Sequence, residues 1–376
     1  MSDTPRLPID PARLALVVAL LLVLHSGDPN PTQITVMLVI GLVLAISVRW
    51  SVGLTTIALL LVTAIVLRLA WSDRTGSDVL QVTRVAIDRV IVGLNPYGYA
   101  YQTSNPPGAP FPYGPLALLL YLPFHRVEWL LELLTGFAVA GILAFQGRLI
   151  GLAVYAAAPI AVSIATDGSN DTTLGLLILL AFMAARRSPI LAGFLLASAG
   201  AFKLSALAFA PGFLAWAGLD AILMFIAGTV ITWAPVIAVW GIPSFVDSAA
   251  RANDLHESTR WSLGVLIGEL AGRRIDELDR LRYAVGGIIA LIGLRFRKSM
   301  DGVILVGIVV YLVTLYLANW GSFAYLGGIA ALVCWRLDDW LGFESISVPA
   351  RLRALRVAWV RRRARSVAAA VETPAG

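Results

Sequence analysis

The sequence has one cysteine, few charges and none of the short motifs that mark nucleotide or metal sites. Cys334 is the single cysteine in 376 residues, so an intramolecular disulfide and a cysteine-based metal site are excluded. Only 14% of the residues are charged, whereas an average globular protein has about 25%. There is no P-loop, GxGxxG, HExxH or EF-hand pattern, and the three histidines are widely scattered. The sequence therefore gives no reason to expect a cofactor or a divalent metal.

The chain is instead rich in apolar residues, which make up 59% of it and give a mean hydropathy of +0.82. Apolar runs continue from Leu14 to Val333, which excludes a signal peptide followed by a soluble domain. A helix needs roughly 20 apolar residues to cross a bilayer, and somewhat fewer in an irregular bundle. The pattern predicts an all-α, multi-pass bundle of about twelve spans, at 12–25, 32–48, 53–70, 128–146, 149–165, 172–185, 189–201, 203–217, 220–240, 282–296, 302–318 and 320–337.

Basic residues mark the cytoplasmic side of a membrane protein. The markers are Arg49, the pair Arg186–Arg187, the cluster Arg295, Arg297 and Lys298, and the arginine-rich tail at 351–365. Twelve spans with a cytoplasmic N-terminus place every marker inside. Segment 115–124 would invert this arrangement if it crossed, so we expect it to be re-entrant or to lie on the surface. The prediction is a plasma-membrane protein with both termini in the cytoplasm.

The net charge of +6 does not indicate a nucleic-acid partner, because much of it lies in the tail. Next to a span, such a tail indicates positive-inside topology, or a helix that contacts anionic membrane lipids. The chain then divides into six segments: N-terminal spans 1–70, an outer loop with the re-entrant segment 71–127, a core bundle 128–240, a second outer loop 241–281, C-terminal spans 282–340 and a basic cytoplasmic tail 341–376.

The predicted outer face collects most of the irregular polar sequence. In the first outer loop, Val79, Val82, Ala86 and Val90 recur on one face of an amphipathic helix that would lie on the membrane. Residues 95–115, the proline-rich segment, read NPYGYAYQTSNPPGAPFPYGP. Proline restricts its own φ and the residue before it, so this segment must be extended or turning. Lipid cannot satisfy such a backbone, which places it in water, at the interface or within protein.

Five ionisable residues near this face are candidates for chemistry, and ordinary structural roles compete with the chemical ones. Asp78 opens the amphipathic helix and could simply cap it, and Asp73 is a competing carboxylate. The stretch ATDGSND contains Asp167 and Asp171, which could form a turn and cap the next helix. Lys203 has no charged neighbour in sequence and could snorkel to the interface, or it could bind a phosphate.

Several motifs follow one another in the order that a known family shows. They are SDVLQVTRVAIDRVIVGLNPYGYAY, then FPYGPLALLLYLP, then GSND opening a helix, then AGFLLASAGAFK ending at Lys203. Over residues 70 to 217 the chain resembles the GT-C superfamily of membrane glycosyltransferases, and most of all the mannosyltransferase-like family 87 (DUF2029) type. It departs from that pattern at Val79, Leu80 and Val82, where aromatics are usual, and at Ser169, which replaces a glutamine. These departures leave the sugar and the acceptor open.

The resemblance implies inverting transfer of a mannose-like hexose or a pentose from a polyprenyl-phosphate donor to a glycan, lipid or polysaccharide acceptor at the outer face. Asp78 would be the general base and Lys203 would bind the donor phosphate. The other donor- or acceptor-binding residues would be Asp167, Asn170, Asp171, Tyr97 and Tyr113. A transporter or flippase is the alternative, although the sequence shows no internal repeat and its charges cluster on one face. A non-catalytic scaffold would need no convergence of these charges.

Overall fold

The computed structural model describes residues 10–25, 30–47, 52–71, 77–255, 259, 262–272, 277–318 and 320–343. Of these described residues 79% are helical and none is in a strand, so the all-α prediction is confirmed. The described helices are α1 (Pro11–Leu24), α2 (Pro31–Ser47), α3 (Gly53–Ala70), α4 (Val79–Ile91), α5 (Pro115–Tyr121), α6 (Trp129–Phe145), α7 (Leu149–Ala157), α8 (Pro159–Ile164), α9 (Asp171–Ala185), α10 (Pro189–Phe202), α11 (Ala210–Ala217), α12 (Leu219–Trp240), α13 (Ile242–Leu255), α14 (Leu263–Ala271), α15 (Glu277–Gly293), α16 (Met300–Tyr316) and α17 (Gly327–Trp340).

Local sequence sets many of these helix boundaries. Five helices begin directly at a proline, whose fixed φ suits the first turn and whose missing N–H is not needed there. Serine side chains cap α10 and α16, since the Ser188 hydroxyl accepts from Leu191 N and the Ser299 hydroxyl accepts from Gly302 N. Short 3₁₀ helices join or extend some elements, at Leu122–Phe124, Leu204–Phe209, Leu294–Phe296 and Phe323–Leu326.

The predicted count of about twelve spans is not supported. By length and composition, two described helices can cross a membrane, α3 and α12, and both match predicted spans. Six further apolar helical segments are only 10–17 residues long. The apolar runs are continuous in sequence, but the backbone interrupts them. Predicted span 149–165, for example, breaks at Ala158, whose extended backbone precedes Pro159, and becomes α7 and α8.

The region 115–145 is bent sharply. The segment Pro115–Phe124, which is α5 with its 3₁₀ extension, meets α6 at an angle of 99°. Together the two could count as a third, broken span, or α5 could enter and leave the membrane on one side. The re-entrant position of 115–124 therefore stays a prediction.

Arg68 stabilises the break between α7 and α8. Its side chain is fully buried at the end of α3, and its guanidinium donates to the backbone carbonyls of Tyr155 at 2.8 Å and Ala161 at 3.2 Å. It also lies 4.5 Å from the centre of the Tyr155 ring. A broken helix leaves carbonyl groups without intrahelical partners, and a buried arginine can satisfy several of them at once. This contact holds α8, and with it the turn that leads into α9.

The core lies around α7 and α9. Helix α7 is buried along nearly all its length and packs against α1, α3 and α17, while α9 packs between α10 and α17. Helix α10 in turn packs against α12.

Three sequence predictions concern Arg49, Asp73 and the basic helix at 351–365, and all three lie outside the described residues.

Candidate functional site

Asp78 lies at the start of α4, where the sequence predicts an amphipathic helix, and its side chain does not cap that helix. One carboxylate oxygen, Oδ2, instead accepts a hydrogen bond from the backbone N–H of Asn105 at 2.6 Å. The carboxylate thus joins α4 to the proline-rich segment. The simple capping interpretation of Asp78 does not describe its geometry.

The turn before α9 lies directly against the start of α4. Ser77 N donates to the carbonyl of Asp167 at 2.7 Å, and Leu80 N donates to the carbonyl of Gly168 at 3.1 Å. Gly168 has a φ of +86°, and a Cβ there would lie 2.8 Å from the Ser77 carbonyl oxygen. Glycine is therefore required both by the backbone and by this close approach.

Lys203, just past the end of α10, is held by oxygen atoms and aromatic faces. Its Nζ lies 2.8 Å from Asp171 Oδ1 and 3.1 Å from Asn170 Oδ1. The ammonium also lies 5.5 Å from the centre of the Tyr113 ring and 5.3 Å from that of Tyr325. The Asp171 side chain is 2% exposed and the Lys203 side chain is 12% exposed. The snorkelling interpretation of Lys203 is therefore wrong, because the ammonium is directed into protein.

The end of the proline-rich segment packs tightly on the end of α10. Gly114 N donates to the carbonyl of Phe202 at 3.2 Å, next to Lys203. A Cβ at position 114 would lie only 2.0 Å from the Ala201 carbonyl oxygen, so only glycine fits. This contact explains why the segment continues into α5 from a glycine and a proline.

These elements enclose one side of a cavity of about 280 Å³. Four predicted site residues line it: Asp78, Tyr113, Asp171 and Lys203. The structure therefore brings together two carboxylates, one ammonium and one phenol from four separate parts of the chain. Ser104, Ala109, Pro110 and Pro112 of the proline-rich segment also line it, so this segment forms part of its wall.

Three other predicted site residues do not line the cavity. Tyr97 is buried in an aromatic cluster, with its ring centre 5.4 Å from that of Phe245 and 6.3 Å from that of Trp240. Asn170 lies behind Lys203 and supports it. The Asp167 carboxylate accepts from Ser169 N at 2.8 Å within the turn, and burial raises its pKa to about 6. The binding roles that the resemblance implies for these three residues stay predictions.

The opposite wall of the cavity was not predicted from the sequence. It comes from α13, the start of α15 and the segment before α17, and includes Asn253, Arg282, Tyr283, Trp320 and Tyr325. Arg282 donates from Nη2 to Asn253 Oδ1 at 2.9 Å. The only sequence signal was that loop 241–281 was predicted to share the outer face with loop 71–127. Gly98 N donates to the Ser248 hydroxyl of α13 at 2.5 Å, so these two loops do meet.

The polar side of α4 contacts protein. Arg84 Nε lies 3.0 Å from both carboxylate oxygens of Glu128, and Asp88 Oδ1 lies 2.8 Å from His125 Nε2. Helix α4, which carries Asp78 at its start, is therefore fixed relative to α6.

Taken together, the cavity offers a carboxylate that can accept a proton, a buried ammonium and aromatic faces. Such a set suits an uncharged polar ligand attached to an anion, because aromatic rings pack on apolar faces while the ammonium contacts the anion. Among the described residues, no group of three or more His, Cys, Asp or Glu side chains is arranged to hold a metal ion.

Comparisons with models of protein families, with characterised proteins and with solved structures find no match to this chain.

Proposed function

We propose that the protein is a membrane glycosyltransferase of GT-C type that transfers a sugar from a polyprenyl-phosphate donor to an acceptor at the outer face of the plasma membrane. The observation that carries this proposal is the cavity that Asp78, Asp171 and Lys203 line together and that the proline-rich segment partly encloses. The sequence resemblance assigns chemistry to the same residues. The acceptor would be a glycan, a lipid or a polysaccharide.

Asp78 is the general base in this proposal. A lipid phosphate leaves as a stable anion and needs no general acid, so one carboxylate is sufficient. Asp78 removes the proton from the acceptor hydroxyl as that oxygen attacks the anomeric carbon. The bond from that carbon to the phosphate oxygen breaks, and its electron pair leaves with the phosphate. Attack from the side opposite the phosphate inverts the anomeric configuration.

Lys203 stabilises the phosphate as its charge develops. Fixed charges help most where they are already in place before the reaction, because no reorganisation is then needed. Asp171 and Asn170 hold the ammonium at 2.8 and 3.1 Å, which fixes its position. Tyr113 and Tyr325 provide aromatic faces beside it, on which a sugar ring can pack.

A transporter or flippase is the second candidate, favoured by the break between α7 and α8 and by the 99° bend between α5 and α6. Broken helices often form substrate sites in transporters. Transport does not need a proton acceptor at Asp78, so the two candidates differ in their dependence on that carboxylate.

Asp78→Asn tests the proposal. The amide keeps the shape and can still accept from Asn105 N, but it cannot take the proton, so transfer should fall on the order of 10²-fold or more while the donor still binds. The assay is transfer of radiolabelled sugar from polyprenyl phosphate to membrane acceptors by purified protein. Asp88→Asn is the matched control, because Asp88 lies on the same helix, pairs with His125 and does not line the cavity.

Transfer by Asp78→Asn at the rate of the Asp88→Asn control would show that Asp78 is not the base. Movement of lipid-linked sugar across vesicles by both variants, with no transfer by the wild type, would favour the transporter.

A further inference from the structure

A further buried carboxylate, that of Glu132, lies behind the cavity. Glu132 of α6 is 1% exposed, and no sequence pattern pointed to it. Its Oε2 accepts from the backbone N–H of Thr173 at 3.1 Å, and its Oε1 accepts from the hydroxyls of Thr173 and Tyr121. A buried carboxylate is costly unless hydrogen bonds satisfy it, and here donors from two other helices do so.

The Thr173 N–H belongs to the first turn of α9. The first N–H groups of a helix have no intrahelical partner, and the side chain of the preceding residue usually accepts from one of them. That residue is Asn170, and its side chain makes no such capping bond. Its Oδ1 instead accepts from Lys203 Nζ at 3.1 Å. Glu132 thus supplies, from another helix, the cap that Asn170 does not.

We propose that Glu132 is a positioning residue, which caps α9 so that Asn170 and Asp171 can both hold the Lys203 ammonium at the cavity. Without this cap, the Asn170 side chain is the nearest substitute for it, and turning towards Thr173 N would take it away from Lys203. The effect of Glu132 on transfer rests on the proposed function, but its effect on Lys203 does not.

Tyr121 extends the same network to the proline-rich segment. It lies on α5, which follows that segment directly, and its hydroxyl donates to the carboxylate that caps α9. The segment therefore contacts the Lys203 region twice, through Gly114 on α10 and through Tyr121 on Glu132. Removing the Tyr121 hydroxyl should loosen the hold on Lys203 without changing any residue that lines the cavity.

The reactivity of Lys203 provides a direct test, because the chain has only two lysines, Lys203 and Lys298. In a Lys298→Arg background, a small amine-reactive ester can acylate only Lys203 and the N-terminus, and mass spectrometry of peptides separates these two. Glu132→Gln in the full-length protein should raise the rate of Lys203 acylation on the order of tenfold, since the amide replaces one of two carboxyl oxygens that accept hydrogen bonds with an NH2 group that cannot. Thr135→Val is the control, because Thr135 contacts Thr173 from the same helix but does not cap α9.

An acylation rate for folded Glu132→Gln equal to that of the control would overturn the proposal. If Glu132→Gln does not fold, Tyr121→Phe and Thr173→Val each remove one hydrogen bond to the carboxylate, and rates about two- to threefold above the control are then expected. Control rates in both would equally overturn the proposal.

The transfer assay adds a second readout. Glu132→Gln should raise the KM for the donor more than it lowers kcat, because a misplaced Lys203 weakens the hold on the phosphate. A fall in kcat with an unchanged KM for the donor would overturn this role in transfer. Absence of transfer in the wild type would defeat the proposed function, whereas the acylation rates would still decide the role of Glu132.

Discussion

Removing one partner of the Lys203–Asp171 pair should destabilise the fold by an amount that depends on which partner is removed. Lys203→Met keeps the length of the side chain but leaves Asp171, which is 2% exposed, without its ammonium at 2.8 Å. A buried charge that loses its partner costs about 3–5 kcal/mol. We expect that loss for Lys203→Met.

Asp171→Asn should cost less, about 1–3 kcal/mol. The ammonium would keep the oxygen of Asn170 at 3.1 Å and the rings of Tyr113 and Tyr325 at 5.5 and 5.3 Å. Contacts between a cation and an aromatic face contribute roughly 0.5–2 kcal/mol each. The double variant removes both charges, so it should be less destabilised than the sum of the two single variants.

The assay is unfolding of the purified protein in mixed detergent micelles, followed by tryptophan fluorescence for the four members of the cycle. Lys298→Met is the control, because Lys298 is exposed and its loss should change the free energy of unfolding by less than about 0.5 kcal/mol. A loss for Asp171→Asn equal to or larger than that for Lys203→Met would refute the reasoning from burial. Strict additivity in the double variant would show that the two side chains do not interact.

Two further predictions concern the segments around the cavity. Gly114→Ala would place a Cβ 2.0 Å from the Ala201 carbonyl oxygen, so it should lower the thermal unfolding temperature, whereas Gly141→Ala, with no atom within 4 Å, should not. An unchanged unfolding temperature for Gly114→Ala would contradict the close approach of the proline-rich segment to α10. Burial raises the pKa of Asp167 from 3.8 to about 6, so the folded protein binds that proton more tightly than the unfolded chain does. The stability gained from this proton is complete below about pH 4 and is lost as the pH rises through 6. The Asp167→Asn variant cannot ionise at this position, so its free energy of unfolding relative to wild type should rise between pH 4 and pH 8, by at most about 3 kcal/mol. A constant difference between the two proteins across this range would contradict the prediction.

Local properties of the sequence determined the helical class, two long apolar helices and the amphipathic helix that begins after Asp78. Composition and periodicity report burial along one segment at a time, and these features need nothing more. Helices α3 and α12 were predicted at 53–70 and 220–240 and are observed at Gly53–Ala70 and Leu219–Trp240. The number of spans was not determined in this way, because hydropathy does not register the backbone breaks at residues such as Ala158.

The resemblance grouped Asp78, Tyr113, Asp171 and Lys203 in one site, but only the tertiary structure decided which other side chains meet them. The resemblance placed Tyr97 among the binding residues, and the structure adds that α12 and α13 surround its ring with Trp240 and Phe245. Arg282 and Glu132 gave no sequence signal, because each acts through partners more than 25 positions away, Asn253 and Thr173. A cap supplied by another helix and a cavity wall formed by a distant one depend on packing between helices. Such packing is set by the shapes and volumes of many side chains together, which no local pattern contains.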